Sequence, residues 1–127
     1  MTLPPYAHLL GLTVHAEEDG APILAMPWSA GVMGRPGFLH GGAIGGLLEM
    51  AAFAALHARF GDADRPRIKP ITVTVDYMRG GREVETYALG RITRLGTRVA
   101  NLEASAWQED PAKPIALARM NVLLSHS

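Results

Sequence analysis

Apolar and polar residues alternate along much of the second half of the chain. In "ITVTVDYMR" (residues 71–79), isoleucine, valine and tyrosine occupy every second position, with threonine and aspartate between them. This period of two is typical of a β-strand that places one face on a core. The same reading predicts four strands, over residues 71–79, 83–95, 97–108 and 115–124. Gly80-Gly81, "LGT" around Gly96 and "EDPAKP" around Pro111 predict tight turns between them.

A different pattern runs through residues 42–60, where small and large apolar side chains cover almost the whole circumference of a helical wheel. A helix that is apolar nearly all round is buried rather than laid on a surface. Its many glycines and alanines allow another backbone to approach closely. Gly61, followed by Pro66, ends the predicted helix.

The N-terminal part predicts a short strand pair, over residues 10–15 and 21–28, around the turn "EEDG". Pro22 and Pro27 favour an edge position for this pair, because proline cannot donate to a strand ladder. The segment "SAGVMGRPG", rich in glycine, then leads as a loop into the helix.

The order of these elements predicts the fold class. Tight connections between successive strands indicate an antiparallel sheet. We therefore expect an α+β fold in which a curved antiparallel sheet of five to six strands wraps round one long central helix. With 127 residues, the chain has the length of a single domain, 1–127.

Composition narrows the function classes. The 12 basic and 12 acidic residues give a net charge of zero, so neither nucleic acid nor an anionic membrane is the expected partner. The chain has no cysteine, which excludes disulfides, thiol catalysis and thiolate metal sites. The N-terminus lacks the pattern of a signal peptide. The apolar run 43–56 is short for a membrane span and contains Glu49. We expect a soluble cytoplasmic protein.

Basic residues are unevenly placed, since eight of the twelve lie between positions 65 and 98. Most are arginines, whose planar fork of donors suits phosphate. Two interpretations stay open at this point, a solvated strand face and a dock for a phosphorylated ligand. Arg94, Thr97 and Arg98, in the turn "RLGTR", are the candidates for the second.

The candidate chemistry lies in "GRPGFLHGGAIGGLLEMAAFAALHARF" (residues 34–60), where Glu49 is the single carboxylate of the apolar helix. A buried carboxylate is costly unless it is paired or neutral, and burial raises its pKa toward the range useful for acid–base catalysis. Gly41 and Gly42 lie at the helix start, where amide N–H groups have no intrahelical partner. Such donors can hold a carbonyl oxygen that becomes an oxyanion.

Spacing prevents these groups from serving one substrate within one chain. Gly41 and Glu49 are eight residues apart, roughly 12 Å along a helix, whereas reacting groups must lie within about 3.5 Å of their partners. A symmetric dimer with two such helices side by side would place Gly41 of one protomer against Glu49 of the other. We therefore expect two sites per dimer.

At this point the sequence resembles a family. "FLHGGAIGGLLEMAA" is similar to the motif of hotdog-fold acyl-CoA thioesterases of the phenylacetate-degradation (PaaI) type, in which a His-Gly-Gly is followed by an acid nine residues after the histidine. "VTVDYMRGG", "ITRLGTRVANLEASAW" and "IALARMNVLL" also resemble strands of that family. The resemblance covers nearly the whole chain. Glutamate rather than aspartate resembles the branch that includes 4-hydroxybenzoyl-CoA thioesterases.

The resemblance implies a role for each matching residue. Glu49 would be the nucleophile or the general base that activates water, the Gly41 amide would bind the thioester oxygen, and His40 would position the thioester or brace the loop. Gly42 would help to bind the substrate. The implied partners are an acyl-CoA substrate and further copies of the chain, in a homodimer or homotetramer, with no cofactor beyond the coenzyme A of the substrate.

Two positions depart from the family pattern. Many relatives carry Asn or Gln five or six residues before the motif histidine, where this chain has Gly34 and Arg35. Arg35 can contact substrate but only donates hydrogen bonds, so it cannot orient water as an amide does. Some relatives have a small hydroxyl residue one turn after the acid, where this chain has Phe53. Phe53 is therefore expected to reshape the acyl pocket.

The alternatives to a thioesterase are a hotdog hydratase or dehydratase and a non-catalytic acyl-CoA-binding module. The first needs a matched histidine and acid, which His40 and Glu49 could form across a dimer. The second is favoured by the missing amide and by Phe53. The five histidines show no metal-ligand spacing, and no Gly-x-Ser-x-Gly motif is present. The acyl group, the carrier and the choice between dimer and tetramer are not encoded in these motifs.

Overall fold

The computed structural model describes residues 3–62 and 65–126, so residues 1–2, 63–64 and 127 of the predicted domain lie outside this description. The elements are helix α1 (Pro5–Leu9), strands β1 (Thr13–Glu18) and β2 (Ala21–Met26), a short 3-10 turn (Ala30–Val32), helix α2 (Gly41–Phe60), and strands β3 (Arg67–Tyr77), β4 (Thr86–Leu95), β5 (Val99–Trp107) and β6 (Ala116–Ser125). The strands form one antiparallel sheet in the order β1-β2-β4-β5-β6-β3. Helix α2 packs against one face of this sheet, and the predicted fold class is confirmed.

The tight turn predicted at Gly80-Gly81 is wrong. Strand β3 does not pair with β4, because β4 lies between β2 and β5. Instead β3 pairs with β6 at the sheet edge, from Arg67 opposite Ser125 to Tyr77 opposite Ala116. Residues 78–85 therefore cross from the edge to the middle of the sheet. Gly81 is buried on this path, and its carbonyl accepts a hydrogen bond from the Leu39 N–H at 2.9 Å.

Element boundaries also differ from prediction at the N-terminal side. Helix α1, which was not predicted, begins at a proline, and β1 starts three residues later than expected. Strand β3 begins at Arg67 rather than at residue 71 and continues through Pro70, next to a bulge between Pro70 and Thr72. An edge strand tolerates this proline, which has no N–H to donate, because one side of the strand has no neighbour to pair with. In the N-terminal pair, β1 is the edge strand and β2 lies inside the sheet.

The contact between α2 and β4 is unusually close at one point. A Cβ at Gly90 would lie 2.3 Å from the Ala51 carbonyl oxygen and 2.7 Å from the Ala52 Cα. Only glycine permits this approach, which lets the helix lie directly on the sheet backbone. By length and composition α2 could also span a membrane, since its most apolar 18-residue segment has a mean hydropathy of 1.3. However, 56% of that segment is buried inside the fold.

Strand β3 leaves apolar side chains uncovered at the sheet edge. Val73, Val75 and Tyr77 stand opposite the buried residues Met120, Ala118 and Ala116, so they share the helix-facing side of the sheet. Val73 and Tyr77 are nevertheless 40% and 55% exposed, and Ile71 at the bulge is 57% exposed. The helix covers the middle of the sheet and stops short of this edge.

Candidate active site

His40 forms the N-cap of helix α2. Its backbone is extended, with φ −69° and ψ 134°, and its Nδ1 accepts a hydrogen bond from the Gly42 N–H at 2.8 Å. In the neutral imidazole, Nδ1 as acceptor places the proton on Nε2. The ring is exposed. His40 therefore secures the helix start and presents an Nε2–H donor to the outside.

The Gly41 amide is the free donor at this helix start. Gly41 is the first helical residue, and no hydrogen bond from its N–H is found within residues 3–62 and 65–126. The Gly42 N–H, in contrast, is already bound by His40. Of the two predicted glycine donors, Gly41 is therefore the one that can receive a substrate oxygen.

Tyr77 holds the Gly41 peptide from the other side. Its hydroxyl donates a hydrogen bond of 2.8 Å to the Gly41 carbonyl oxygen. Its ring lies against Gly41 and Gly45, where an added Cβ would approach Tyr77 atoms to 3.4 Å and 3.5 Å. Two sequence patterns are consistent with this contact: the alternation along β3, and the glycines four residues apart on α2. Neither pattern shows which strand reaches the helix start.

Glu49 lies two turns further along α2 and is partly buried. Its carboxylate forms no hydrogen bond or ion pair with any side chain that the structure describes. Tyr6 of α1 packs directly on Gly46, in the turn before Glu49. A Cβ built at Gly46 would lie only 2.6 Å from the Tyr6 Oη. Phe53 follows one turn after Glu49. Glu49 thus stands among apolar side chains, and its partly exposed carboxylate is available to a ligand or a second chain.

Helix geometry confirms that Gly41 and Glu49 are apart within one chain. Both lie on the continuous helix α2, and eight residues correspond to roughly 12 Å. His40 is one residue further away. The chain therefore contains an oxyanion donor and a carboxylate but does not bring them to one substrate atom by itself.

Arg35 lies in the loop before the His-Gly-Gly motif and is exposed. Its guanidinium carbon stacks on the ring of Phe38 at 4.1 Å, and Arg82 approaches the same ring at 4.4 Å. This cation–π stack anchors the loop. Arg35 therefore lies in the anchored loop, five residues before His40 at the helix start.

Arg94, Thr97 and Arg98 lie at the opposite end of the molecule from Gly41. The Arg98 carbonyl accepts a hydrogen bond from the Leu124 N–H at 2.7 Å, and Leu124 pairs with Ile68 near the start of β3. The other end of β3, Tyr77, contacts Gly41. The nine residue steps from Ile68 to Tyr77 span roughly 30 Å of strand. The structure therefore does not join these three residues to the helix start of their own chain.

Among the described residues, no group of three His, Asp or Glu side chains is arranged to hold a metal ion. The helix start instead supplies one backbone N–H donor, that of Gly41, and the imidazole of His40, and the carboxylate of Glu49 follows two turns on. This set suits attack on a polarised carbonyl group.

The family follows from a direct comparison. Residues 36–115, most of the chain, match the thioesterase superfamily, and the chain belongs to that family. Its fold is the hotdog fold that the sequence resemblance implied. Membership supports hydrolysis of a thioester as the reaction class. No curated protein matches the chain.

Solved structures agree with this assignment. A protein from Chromobacterium violaceum is 35% identical, with a TM-score of 0.75 over 95% of this chain and 83% of its own. A phenylacetic acid degradation-related protein from Ralstonia eutropha is 18% identical, with a TM-score of 0.83 over 98% and 92%. A thioesterase from Haemophilus influenzae is 18% identical, with a TM-score of 0.82 over 95% and 82%. At 18% identity these two structures support the fold.

Proposed function

We propose that this protein hydrolyses acyl-CoA thioesters at a site shared by two copies of the chain. Glu49 of one copy and the Gly41 N–H of the other act on the same thioester. The observation that carries the proposal is the position of the Gly41 N–H and the Glu49 carboxylate on α2. Neither has a partner among the described residues, and they lie roughly 12 Å apart along the helix. Two antiparallel helices related by a two-fold axis bring each donor to the other chain's acid.

In this reaction the Gly41 N–H receives the thioester oxygen as it becomes an oxyanion. Glu49 either takes a proton from the water that attacks the carbonyl carbon or attacks that carbon itself. In the second route an acyl anhydride forms on Glu49 and water then hydrolyses it. Either route breaks the carbon–sulfur bond, consumes one water and releases a free acid and the thiol of coenzyme A. The Nε2–H of His40 positions the thioester.

The exposed β3 edge supports the pairing of two copies. It carries unpaired backbone groups and the uncovered side chains of Ile71, Val73 and Tyr77. An edge of this kind is a template for another strand. Addition of a second β3 in antiparallel orientation extends the sheet and buries these side chains, and it places the two copies of α2 on the same side. A homodimer, or a tetramer built from two such dimers, follows.

The same arrangement gives a role to the remote arginines. In an antiparallel pair of β3 strands, the start of one strand lies near the end of the other. The Arg94–Arg98 turn of one copy therefore approaches the Gly41 end of its neighbour. We assign Arg94, Thr97 and Arg98 to the phosphates of coenzyme A on this basis, with Arg35 and Gly42 at the entrance and Phe53 beside the acyl group. The reaction requires no other cofactor, and the cytoplasm is its proposed compartment.

The test is release of free thiol from short, medium and aromatic acyl-CoAs by wild type and Glu49→Gln. Glutamine keeps the shape of the side chain and removes its charge. We expect turnover in wild type and a loss of about 100-fold or more in the variant, the usual scale for a positioned acid or base. Glu109→Gln, in an exposed loop, is the matched control and should retain wild-type turnover. Equal rates in Glu49→Gln and wild type contradict the role of Glu49.

A non-catalytic acyl-CoA-binding module is the second candidate, because Phe53 stands one turn after Glu49 and no amide side chain precedes the motif. Tight binding of acyl-CoA without thiol release would favour it. A hydratase is less consistent with the geometry. It needs a histidine to exchange protons, whereas the Nδ1 of His40 is committed to the Gly42 N–H.

A further inference from the structure

A cavity of about 550 Å³ lies beside α2, between α1 and the start of β3. Its walls include the rings of Tyr6 and Phe53 and the side chain of Ile68. Phe53 is one turn beyond Glu49, and Tyr6 covers the turn before it. The cavity therefore continues the apolar stripe on which Glu49 stands, in the direction of the helix C-terminus.

Arg65 supplies the cation at the far end of this cavity, near His57. Arg67 and Lys69 also line the cavity, but they flank Ile68, whose pairing with the buried Leu124 places it on the helix-facing side, so these two basic side chains belong to the other face of the sheet. None of the described lining residues is acidic. The Arg65 side chain is 34% exposed, and its ion-pair partner among the described residues, Asp62, lies 3.9 Å away with 92% of its side chain in solvent. An ion pair this long and this exposed neutralises little of the charge on Arg65.

His57 adds a polar group without adding charge. Burial, and then the neighbouring Arg65, hold the pKa of His57 below its ordinary value of 6.5. The ring is therefore neutral near pH 7 and offers a hydrogen bond beside the Arg65 guanidinium. An apolar cavity that ends in a cation and a neutral imidazole suits a ligand with an apolar body and an anionic end.

We infer that the acyl group of the substrate runs from Glu49 past Phe53 into this cavity and ends in a carboxylate that Arg65 binds. The inference rests on the proposed function and names its substrate class, an ω-carboxyacyl thioester. The eight residues from Glu49 to His57 span roughly 12 Å, the length of an extended chain of about ten bonds. The arginine fork matches a carboxylate with two parallel hydrogen bonds.

A phosphate of coenzyme A could satisfy the same cations, so the experiment compares substrates that differ only at the distal end. We would measure kcat/KM for octanoyl-CoA, decanoyl-CoA and their ω-carboxy counterparts with wild type and Arg65→Gln. Wild type should prefer the carboxy form by about tenfold, the lower part of the range for a charge-assisted hydrogen bond because Arg65 is partly exposed. Arg65→Gln should lose this preference, because its kcat/KM falls about tenfold further on the carboxy substrates than on the plain acyl-CoAs. Arg65→Lys should restore part of it.

Two control variants separate this effect from surface charge and folding. Arg59→Gln removes an exposed arginine from the same end of α2 but outside this cavity and should keep the preference. Asp62→Asn removes the distant counter-ion and should keep or increase it. Thermal unfolding of each variant shows that it is folded.

The outcomes distinguish failure of the ω-carboxyacyl specificity from failure of the proposed thioesterase function. Hydrolysis of octanoyl-CoA with no preference for the carboxy form overturns this inference and leaves the proposed function intact. An equal loss on both substrates in Arg65→Gln also overturns it, because the arginine then serves a coenzyme A phosphate or the fold. Absence of thiol release from every thioester removes the proposed function and this inference with it.

Discussion

The hydroxyl of Tyr77 donates a hydrogen bond of 2.8 Å to the carbonyl oxygen of Gly41, across 36 residues of sequence. The bond ties the last residue of the edge strand β3 to the first residue of α2. It fixes the peptide next to the one free N–H found at the helix start among the described residues. In the proposed reaction Tyr77 is therefore a positioning residue that acts through the Gly41 backbone.

Replacement of Tyr77 by phenylalanine tests this relationship. Loss of one hydrogen bond costs about 1 kcal/mol, and we expect kcat to fall about three- to tenfold with little change in KM, because the bond orients the oxyanion donor and does not contact the substrate. Tyr87→Phe is the matched control, since it loses a bond of the same length, from its hydroxyl to Glu85, on the far side of the sheet. An increase in KM at constant kcat would assign Tyr77 to substrate binding instead.

The shared site predicts that two inactive variants repair each other. Gly41→Pro removes the free N–H, and proline fits this place because it is the first helical position and follows a residue with ψ of 134°. We expect Gly41→Pro to lose about 100-fold or more in kcat, and Glu49→Gln to be similarly impaired. A mixed dimer of the two, purified through two different tags, should show about half of the wild-type rate, because one of its two sites is intact.

The control for this experiment is Gly41→Ala, which keeps the N–H and whose Cβ meets the Tyr77 ring at 3.4 Å, close to ordinary contact. It should retain most of the activity. An inactive mixed dimer, formed from folded subunits, would mean that Gly41 and Glu49 act within one chain and would refute the shared site.

Gly90 should tolerate no side chain. A Cβ there would lie 2.3 Å from the Ala51 carbonyl oxygen, so Gly90→Ala must push α2 away from β4. We expect the free energy of unfolding to fall by about 3 kcal/mol or more, at the upper end of the range for overpacked cores, or the protein to be insoluble. Gly31→Ala, where the nearest atom is the Ser29 Oγ at 3.6 Å, should change it by less than about 0.5 kcal/mol in urea unfolding.

His57 predicts a loss of stability in acid. Its pKa is lowered in the folded protein, first by burial and then by Arg65, from an ordinary value of 6.5. Below that value the unfolded chain binds the proton more readily, so the free energy of unfolding decreases as the pH falls from about 7 to about 5. His57→Gln should make this decrease smaller, whereas His8→Gln, on the exposed surface of α1, controls for the loss of an imidazole. Parallel pH profiles of wild type and His57→Gln would contradict the prediction.

The long helix and most of the strands were predictable because their signals are local. A run of apolar residues with one acid and an alternation of period two each follow from the chain itself. Helix α1 was missed because it has only five residues, too few to show a period. The partner of β3 was missed for another reason, since alternation shows which face of a strand is buried but not which strand lies beside it.

The candidate site likewise contains residues that the sequence could identify and residues that only the fold could. The spacing from His40 to Glu49 is a local motif, so the sequence was sufficient to find it. Tyr77, Tyr6 and Arg65 come to α2 from three other parts of the chain, and only the fold shows that they meet there. The role of His40 as N-cap was also hidden, because histidine is not a usual capping residue.

The pairing of β3 with β6 has a consequence for how the chain acquires its structure. Arg67 stands opposite Ser125, so the edge strand has no strand partner until β6 has also been synthesised. Contacts of such long sequence separation slow folding, and a nascent chain on the ribosome exposes β3 as an unpaired apolar strand until β6 emerges. A chain truncated before Ala116 leaves that strand without its neighbour, and such fragments should aggregate rather than form a smaller stable domain.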